Sequence, residues 1–195
     1  MVNSFLNRLF NLLVASVLLV GLSPLFLLVS LLIVLDSPGS PIFIQKRVGK
    51  NKKIFQMYKF RTMYLGAESK QSELAENSVS DGPVFKVESD PRITRIGAFL
   101  RVGFDELPQL WNVLKGEMDL VGPRPFPVFE ALKIPNKYDF RYLVNPGITG
   151  LASLDSKRHS NFSKWMMADV DYMRRKSIFW DLDVIVKSIE YILKN

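Results

Sequence analysis

Residues 12–35 form one uninterrupted apolar run without a single charged side chain. As a helix the run would be about 36 Å long, enough to cross a hydrocarbon core of about 30 Å. A cleaved signal peptide does not fit, because the run is too long and no small-x-small site follows it. Two features bear on how such a run enters a bilayer. Ser23-Pro24 falls at its centre, where proline removes a backbone hydrogen bond and bends a helix. Basic residues lie on both flanks, Arg8 before and Lys46 to Lys53 after. The positive-inside rule then favours both ends in the cytoplasm. A straight span fits the length alone. A re-entrant helix that bends at Ser23-Pro24 fits length, break and charge together.

Charge is segregated along the 195-residue chain. Residues 1–67 hold eight basic side chains and one acid, Asp36, which leaves 18 of each from totals of 26 and 19. The net charge of +7 therefore resides beside the apolar run. This favours anionic lipid headgroups or a phosphorylated substrate as partner. No nucleic-acid partner is expected, since the adjoining segment is apolar rather than a disordered basic arm. Cysteine is absent, which excludes disulfides and thiolate metal sites. One histidine, His159, excludes multi-histidine zinc sites and reads as a solvated loop residue.

After the breaker Asp36-Ser-Pro-Gly-Ser-Pro41, two strand-like runs, 42–48 and 54–63, flank the basic turn 49–53 and predict a hairpin. Period-two alternation in the second run puts Lys59 and Arg61 on one face. Residues 66–90 read as a polar loop with a helical piece around 68–76, and Asp90-Pro91 opens a short helix or turn over 92–101. Residues 105–115 predict a helix whose stripe is Leu107, Leu110, Trp111 and Leu114, with Asp105, Gln109 and Asn112 opposite and Gly116 ending it. Pro146 to Gly150 reads as a turn. Two helices follow near 162–176 and 178–194. The last carries Ile178, Leu182, Ile185, Ile189 and Ile192 on one face, suited to core packing or to a membrane interface.

Asp105 and Glu106 admit two readings. Acids in a first helical turn cap it and complement its dipole. The same position can present one carboxylate as a nucleophile toward phosphorus and the other to Mg²⁺, a hard cation that prefers oxygen ligands. Gly122-Pro123-Arg124-Pro125 sets a planar guanidinium in a stiff loop, suited to phosphate oxygens or simply to solvent. Arg101 is a further phosphate-binding candidate.

Five motifs occur in order: Lys59-Phe60-Arg61-Thr62-Met63, Asp90-Pro91-Arg92-Ile93-Thr94, Asp105-Glu106-Leu107-Pro108-Gln109, Gly122-Pro123-Arg124-Pro125 and Pro146-Gly147-Ile148-Thr149-Gly150. In these the chain resembles the bacterial sugar transferases, the monotopic phosphoglycosyl transferases in their small catalytic-core form. The resemblance implies an α+β fold, mostly helical with a small β-hairpin or sheet. It also implies a re-entrant membrane helix over 1–36 and a cytoplasmic catalytic domain over 37–195 with interfacial helices, monotopic on the bacterial inner membrane. The implied reaction moves a sugar 1-phosphate from a UDP-sugar to polyprenyl phosphate and releases UMP, the first membrane step of surface glycan synthesis. Inner-membrane lipid and downstream glycosyltransferases are implied as partners. By the same resemblance Asp105 is the nucleophile, Glu106 the Mg²⁺ ligand, Arg124 a phosphate contact, and Ser23-Pro24 the helix break. Lys59, Arg61 and Arg101 are further expected phosphate contacts.

The chain departs from the family pattern in two places. Val102-Gly103-Phe104 replaces the usual Ser-Leu or Ser-Ile before the dyad and leaves Arg101 one residue closer to it. Ala152-Ser153 replaces a Trp-Gln after Thr-Gly-Leu. Two other functions share parts of this pattern: a membrane-bound Mg²⁺-dependent phosphohydrolase and a non-enzymatic membrane-anchored interaction module.

Overall fold

The computed structural model describes residues 4–70, 78, 80–87, 89–155 and 158–194. The apolar run folds as two helices, α1 (Ser4–Gly21) and α2 (Ser23–Asp36), bent by 61° at their junction. Pro24 sits in the first turn of α2, where its missing N–H costs least. The Ser23 hydroxyl donates to the Val20 carbonyl at 2.7 Å, across the break. Among the described residues no single helix is long and apolar enough to cross a membrane; the bent pair together is.

α1 has two distinct faces. Asn7, Asn11 and Ala15 recur at helical spacing and are buried, while Phe5, Leu9, Leu13, Val17 and Val20 point outward. Asn11 Oδ1 accepts from the Leu120 N–H at 2.6 Å. Arg8, read from the sequence as a flanking charge, donates to the carbonyls of Val113 and Leu114 at 2.6 and 2.8 Å. Both are last-turn carbonyls of α4 (Leu110–Lys115), and Val113 also accepts from the Gly116 N–H, so Arg8 helps cap that helix.

The hairpin forms as β1 (Ile42–Val48) and β2 (Ile54–Phe60), antiparallel with Ile42 opposite Phe60 and Val48 opposite Ile54. β2 ends three residues before the expected Met63: Arg61 N–H still bonds the Pro41 carbonyl in register, but Pro41 has no N–H with which to return the bond. α3 (Arg95–Leu100) is capped by Thr94, whose hydroxyl accepts from Gly97 N–H. Asp36 accepts from Ile96 N–H at 2.9 Å and so ties the end of α2 to α3. Of the helical piece expected at 68–76, residues 68–70 form turns, and 71–76 lie outside the described residues.

The predicted helix over 105–115 is composite. Phe104–Gln109 is a 3-10 helix, and only Leu110–Lys115 is α-helical. The tighter turn rotates successive side chains by more than an α-helix does, so the expected burial pattern fails at three residues. Trp111 is 54% exposed, while Gln109 and Asn112 are buried. Asn112 is satisfied there: it accepts from Tyr58 N–H and donates to the Gln56 carbonyl and to Glu117, pinning α4 to β2. Gly116 ends the helix in the left-handed region at φ 80°, as expected.

The expected turn at Pro146–Gly150 contains a strand instead. β3 (Asp119–Val121) and β4 (Gly147–Thr149) pair in parallel. Between them lie α5 (Val128–Ala131) and a 3-10 helix, Asn136–Leu143. The chain closes with α6 (Phe162–Arg175) and α7 (Ile178–Lys194), close to the expected bounds. The buried side of α7 is Asp181 and Val184, however, and Leu182 and Ile189 of the expected core face are exposed.

Asp181 sits within the main core cluster, beside Tyr172 and Val184. Tyr172 Oη lies 2.7 Å from the Val121 carbonyl and 3.0 Å from Asp181 Oδ1. One phenol proton cannot serve both, and a carbonyl can only accept. A protonated Asp181 donating to Tyr172, with Tyr172 donating to Val121, satisfies the set. Burial pushes the Asp181 pKa up to about 6, consistent with that arrangement. A carboxyl whose folded pKa is raised contributes stability below its unfolded value, and that contribution is lost as pH rises through about 6. Asp181→Asn, a permanent mimic of the neutral acid, should therefore match the wild type at pH 4 and exceed it at pH 7.5 by on the order of 2 kcal/mol. Thermal unfolding at the two pH values tests this. An equal offset at both would show that Asp181 is ionised in the fold.

Candidate active site

The dyad is delivered by the 3-10 turn that follows Gly103. Gly103 holds φ +142°, a backbone conformation that L side chains rarely adopt. The turn presents Asp105 and Glu106 beside the end of β2. Lys59 Nζ lies 2.8 Å from Glu106 Oε1 and 3.4 Å from Asp105 Oδ2. Arg124 reaches the same Glu106 oxygen at 2.7 Å. Four of the expected site residues thus converge on one ion cluster.

The two carboxylates are not equivalent. Burial works to raise both pKa values. At Glu106 the charges of Arg124 and Lys59 override it and hold the group well below the usual carboxylate range. At Asp105 burial dominates, the Glu106 charge adds to it, and Lys59 offsets only part, so the pKa is raised. Glu106 is a committed anion with its charge already balanced. Asp105 retains more basic, less neutralised oxygens. Environments that push two neighbouring titratable groups apart mark a division of roles.

The cluster forms part of the wall of a cavity of about 690 Å³. Lys59, Arg101, Asp105, Glu106 and Arg124 line it, so Arg101 does reach the site despite its shortened approach. Its guanidinium Nε donates to Thr62 Oγ1 at 3.1 Å. Arg61 does not reach it. That side chain is buried and bonds Ser37 Oγ and the carbonyls of Ser37, Pro38 and Gly39. Period-two alternation misplaced Arg61 because β2 stops at Phe60; its work is to fasten the segment leaving α2. Ser23 and Pro24 lie at the helix break and do not line the cavity.

The remaining wall is mixed: Ala98, Val102, Ile148, Leu154 and Ile192 make apolar stretches, and Thr149, Ser153, Ser188 and Tyr191 supply uncharged polar groups, joined by Lys86 and His159. His159 is half-buried and meets Trp165 edge to face at 5.3 Å, unlike the solvated loop residue expected. No sequence signal marks Ser188, a single hydroxyl within an amphipathic helix. Thr149 lies inside a recognisable motif, but its direction is set only by the β3–β4 pairing. The two hydroxyls are 2.7 Å apart, and Ser188 also lies 2.7 Å from the Val184 carbonyl. Since that carbonyl can only accept, Ser188 donates to it and Thr149 donates to Ser188. Thr149 therefore offers the cavity an acceptor.

The chemistry available is specific. Two adjacent carboxylates, four cations (Lys59, Lys86, Arg101 and Arg124) and no cysteine suit a phosphorylated ligand accompanied by a hard cation. Among the described residues no three His, Cys, Asp or Glu side chains assemble into a metal cage. Mg²⁺, which one or two carboxylates share with water and substrate phosphates, needs no such cage.

Known proteins carry the same chain pattern. The family model described as bacterial sugar transferase matches residues 2–195. A galactosyl transferase, CpsE, of Streptococcus agalactiae is 42% identical over 157 residues, covering 80% of this chain and 35% of that protein. A UDP-galactose-lipid carrier transferase of Erwinia amylovora is 35% identical, covering 98% of this chain and 41% of that protein. The exopolysaccharide production protein ExoY of Rhizobium meliloti is 36% identical, covering 94% and 83%. The chain thus spans well under half the length of the first two relatives and most of the third. A match that runs nearly end to end, at this identity, leaves one assignment: the chain belongs to the bacterial sugar transferase family.

Proposed function

We propose that the protein transfers a sugar 1-phosphate from a UDP-sugar to polyprenyl phosphate, undecaprenyl phosphate in bacteria, by way of a covalent aspartyl intermediate. The observation that carries the reading is the unequal dyad: Glu106 balanced by Lys59 and Arg124, and Asp105 left more basic beside it. Asp105 attacks the phosphorus that bears the sugar, and the bond to UMP breaks. UMP leaves. A phosphate oxygen of the lipid then attacks the same phosphorus, the bond to Asp105 breaks, and a polyprenyl-diphosphate sugar is released. Splitting the transfer in two lets a soluble nucleotide depart before the lipid reacts. Glu106 would hold Mg²⁺, which when bound offsets charge on the phosphates. Lys59, Arg101 and Arg124 steady the anionic oxygens, most strongly as charge builds in the transition state.

The bent pair α1–α2 serves as the re-entrant membrane element, with its outward Leu, Val and Phe side chains in lipid and both ends on the cytoplasmic face. Residues 37–195 form the catalytic domain. On α7, Phe179, Leu182, Val186, Ile189 and Leu193 recur at helical spacing and are all exposed, a stripe suited to the bilayer interface. This arrangement holds the cavity near the lipid phosphate.

The test is UMP release with Mg²⁺ and undecaprenyl phosphate across a panel of UDP-sugars. Release beyond one equivalent per enzyme should require the lipid acceptor. Continued release without it would favour the phosphohydrolase, and none from any donor would sink both enzymatic readings. Thr149→Val, which removes the acceptor while keeping the shape, should raise KM for the UDP-sugar about tenfold with kcat little changed. An unchanged KM would place Thr149 away from the bound donor.

A further inference from the structure

Arg124 lies in a loop with prolines at 123, 125 and 127, none of which carries a backbone N–H. Such a loop has few donors with which to brace itself. It is held by its acceptors instead. The Pro123 carbonyl accepts from Gly147 N–H at 3.1 Å, and that of Phe126 from Val48 N–H at 3.0 Å. The Arg124 carbonyl accepts from Arg141 at 2.6 Å, and the Pro125 carbonyl from Arg47 at 2.8 Å. Four consecutive carbonyls are thus tied to β4, β1 and the 3-10 helix 136–143.

Arg141 is the unusual member. It is buried, and its guanidinium stands 4.0 Å from the centroid of the Phe126 ring. The nitrogen that bonds the Arg124 carbonyl also lies 3.1 Å from Asp169 of α6. A buried ion pair is costly to desolvate, and an apolar filler is often no worse for stability. What an apolar filler cannot do is donate a hydrogen bond to the Arg124 carbonyl while stacking on the next ring, which the planar guanidinium does. Arg141 is not among the residues that line the cavity, so it touches no substrate there.

We infer that Arg141, seated between Asp169 and Phe126, is a positioning residue that acts on the reaction through Arg124. This rests on the transfer reaction proposed above. Its job is to fix the backbone of Arg124 so that the guanidinium meets the substrate phosphate and Glu106 together. Lysine in its place keeps a charge beside Asp169 but loses the planar stack, so the loop loosens while the fold survives.

The experiment compares wild type, Arg141→Lys, Arg124→Ala and the double variant, with Arg141→Met and Asp169→Asn as alternatives should one fail to fold. Two readouts are taken in the presence of Mg²⁺: UMP release with undecaprenyl phosphate, and binding of UDP by calorimetry. Arg141→Lys should lower kcat/KM about 100-fold, as expected when a reacting contact is misplaced by about 1 Å. In the Arg124→Ala background it should lower it no further, and UDP affinity should follow the same non-additive pattern. Losses that multiply across the double variant would overturn the positioning role, because a purely structural residue acts independently of Arg124. Wild type that binds UDP but releases no UMP would reject the transfer reaction while the binding cycle still decides the role of Arg141. Wild type that does not bind UDP would overturn both.

Discussion

Asp105→Asn should abolish catalytic UMP release, by roughly 10⁴-fold or more, while UDP binding persists within about threefold. The substitution keeps the side-chain shape and removes the nucleophilic oxygen. The cations that face Asp105 remain in place, since Lys59 and Arg124 make their short contacts to Glu106. Wild type quenched in acid without lipid acceptor should carry one sugar phosphate per chain on the peptide containing Asp105, and the variant none. Mass spectrometry of the quenched digest reads this directly. Activity retained in Asp105→Asn would transfer the nucleophilic role to another group or exclude a covalent route. The inert outcome expected of a mere membrane-anchored module, no change in any transfer activity, is separated by the same assay.

The second large effect is structural. Gly147 opens β4 where that strand passes Gly122, the residue ahead of the Pro-Arg-Pro loop. A Cβ on Gly147 would overlap the Gly122 N–H and the Thr149 carbonyl, both backbone atoms that cannot swing aside. Gly147→Ala should therefore cost about 3 kcal/mol or more and displace β4. Pro123 would lose its bond from Gly147, and Thr149 would lose its place on the cavity wall. Gly21 is the control. A Cβ there meets nothing within 4 Å, and Gly21→Ala should leave stability unchanged or raise it by up to about 1 kcal/mol. Thermal unfolding of the two variants side by side decides the matter. Equal midpoints would mean that β3 and β4 can separate without cost.

Some features were legible because their physics is local. Proline at the centre of an apolar helix bends it wherever it occurs, so the break at Ser23-Pro24 follows from covalent chemistry. Alternation with a basic turn made the hairpin, and Gly116 in a left-handed conformation ended α4 as its lack of a side chain allows. The carboxylate pair, Lys59 and Arg124 stood out as residue types suited to phosphate, and they do meet.

Other features were not legible because distant partners set them. Arg61 looks like Lys59 on a strand, yet three carbonyls from residues 37–39 draw it inward. Asn112 reads as a solvent residue until the backbone of β2 is there to saturate its amide. Asp181 and Ser188 belong to a helix whose apolar stripe suggests a different buried side, because an exposed apolar face and a core face carry the same periodic signal. His159 needed Trp165 beside it to leave solvent.

By itself the sequence determined the kinds of chemistry present and the local shapes that carry them: a bent apolar helix pair, a basic hairpin, a carboxylate dyad at the start of a helical segment and an arginine between prolines. Backbone sterics and side-chain functional groups act over a few residues, so no fold is needed to read them. The tertiary structure alone decided which carboxylate is neutralised, which arginines line the cavity and which one fastens the backbone elsewhere, and which hydroxyls face the cavity. Those outcomes depend on distances of about 3 Å between residues far apart in the chain, where burial and a neighbouring charge set what each group can do.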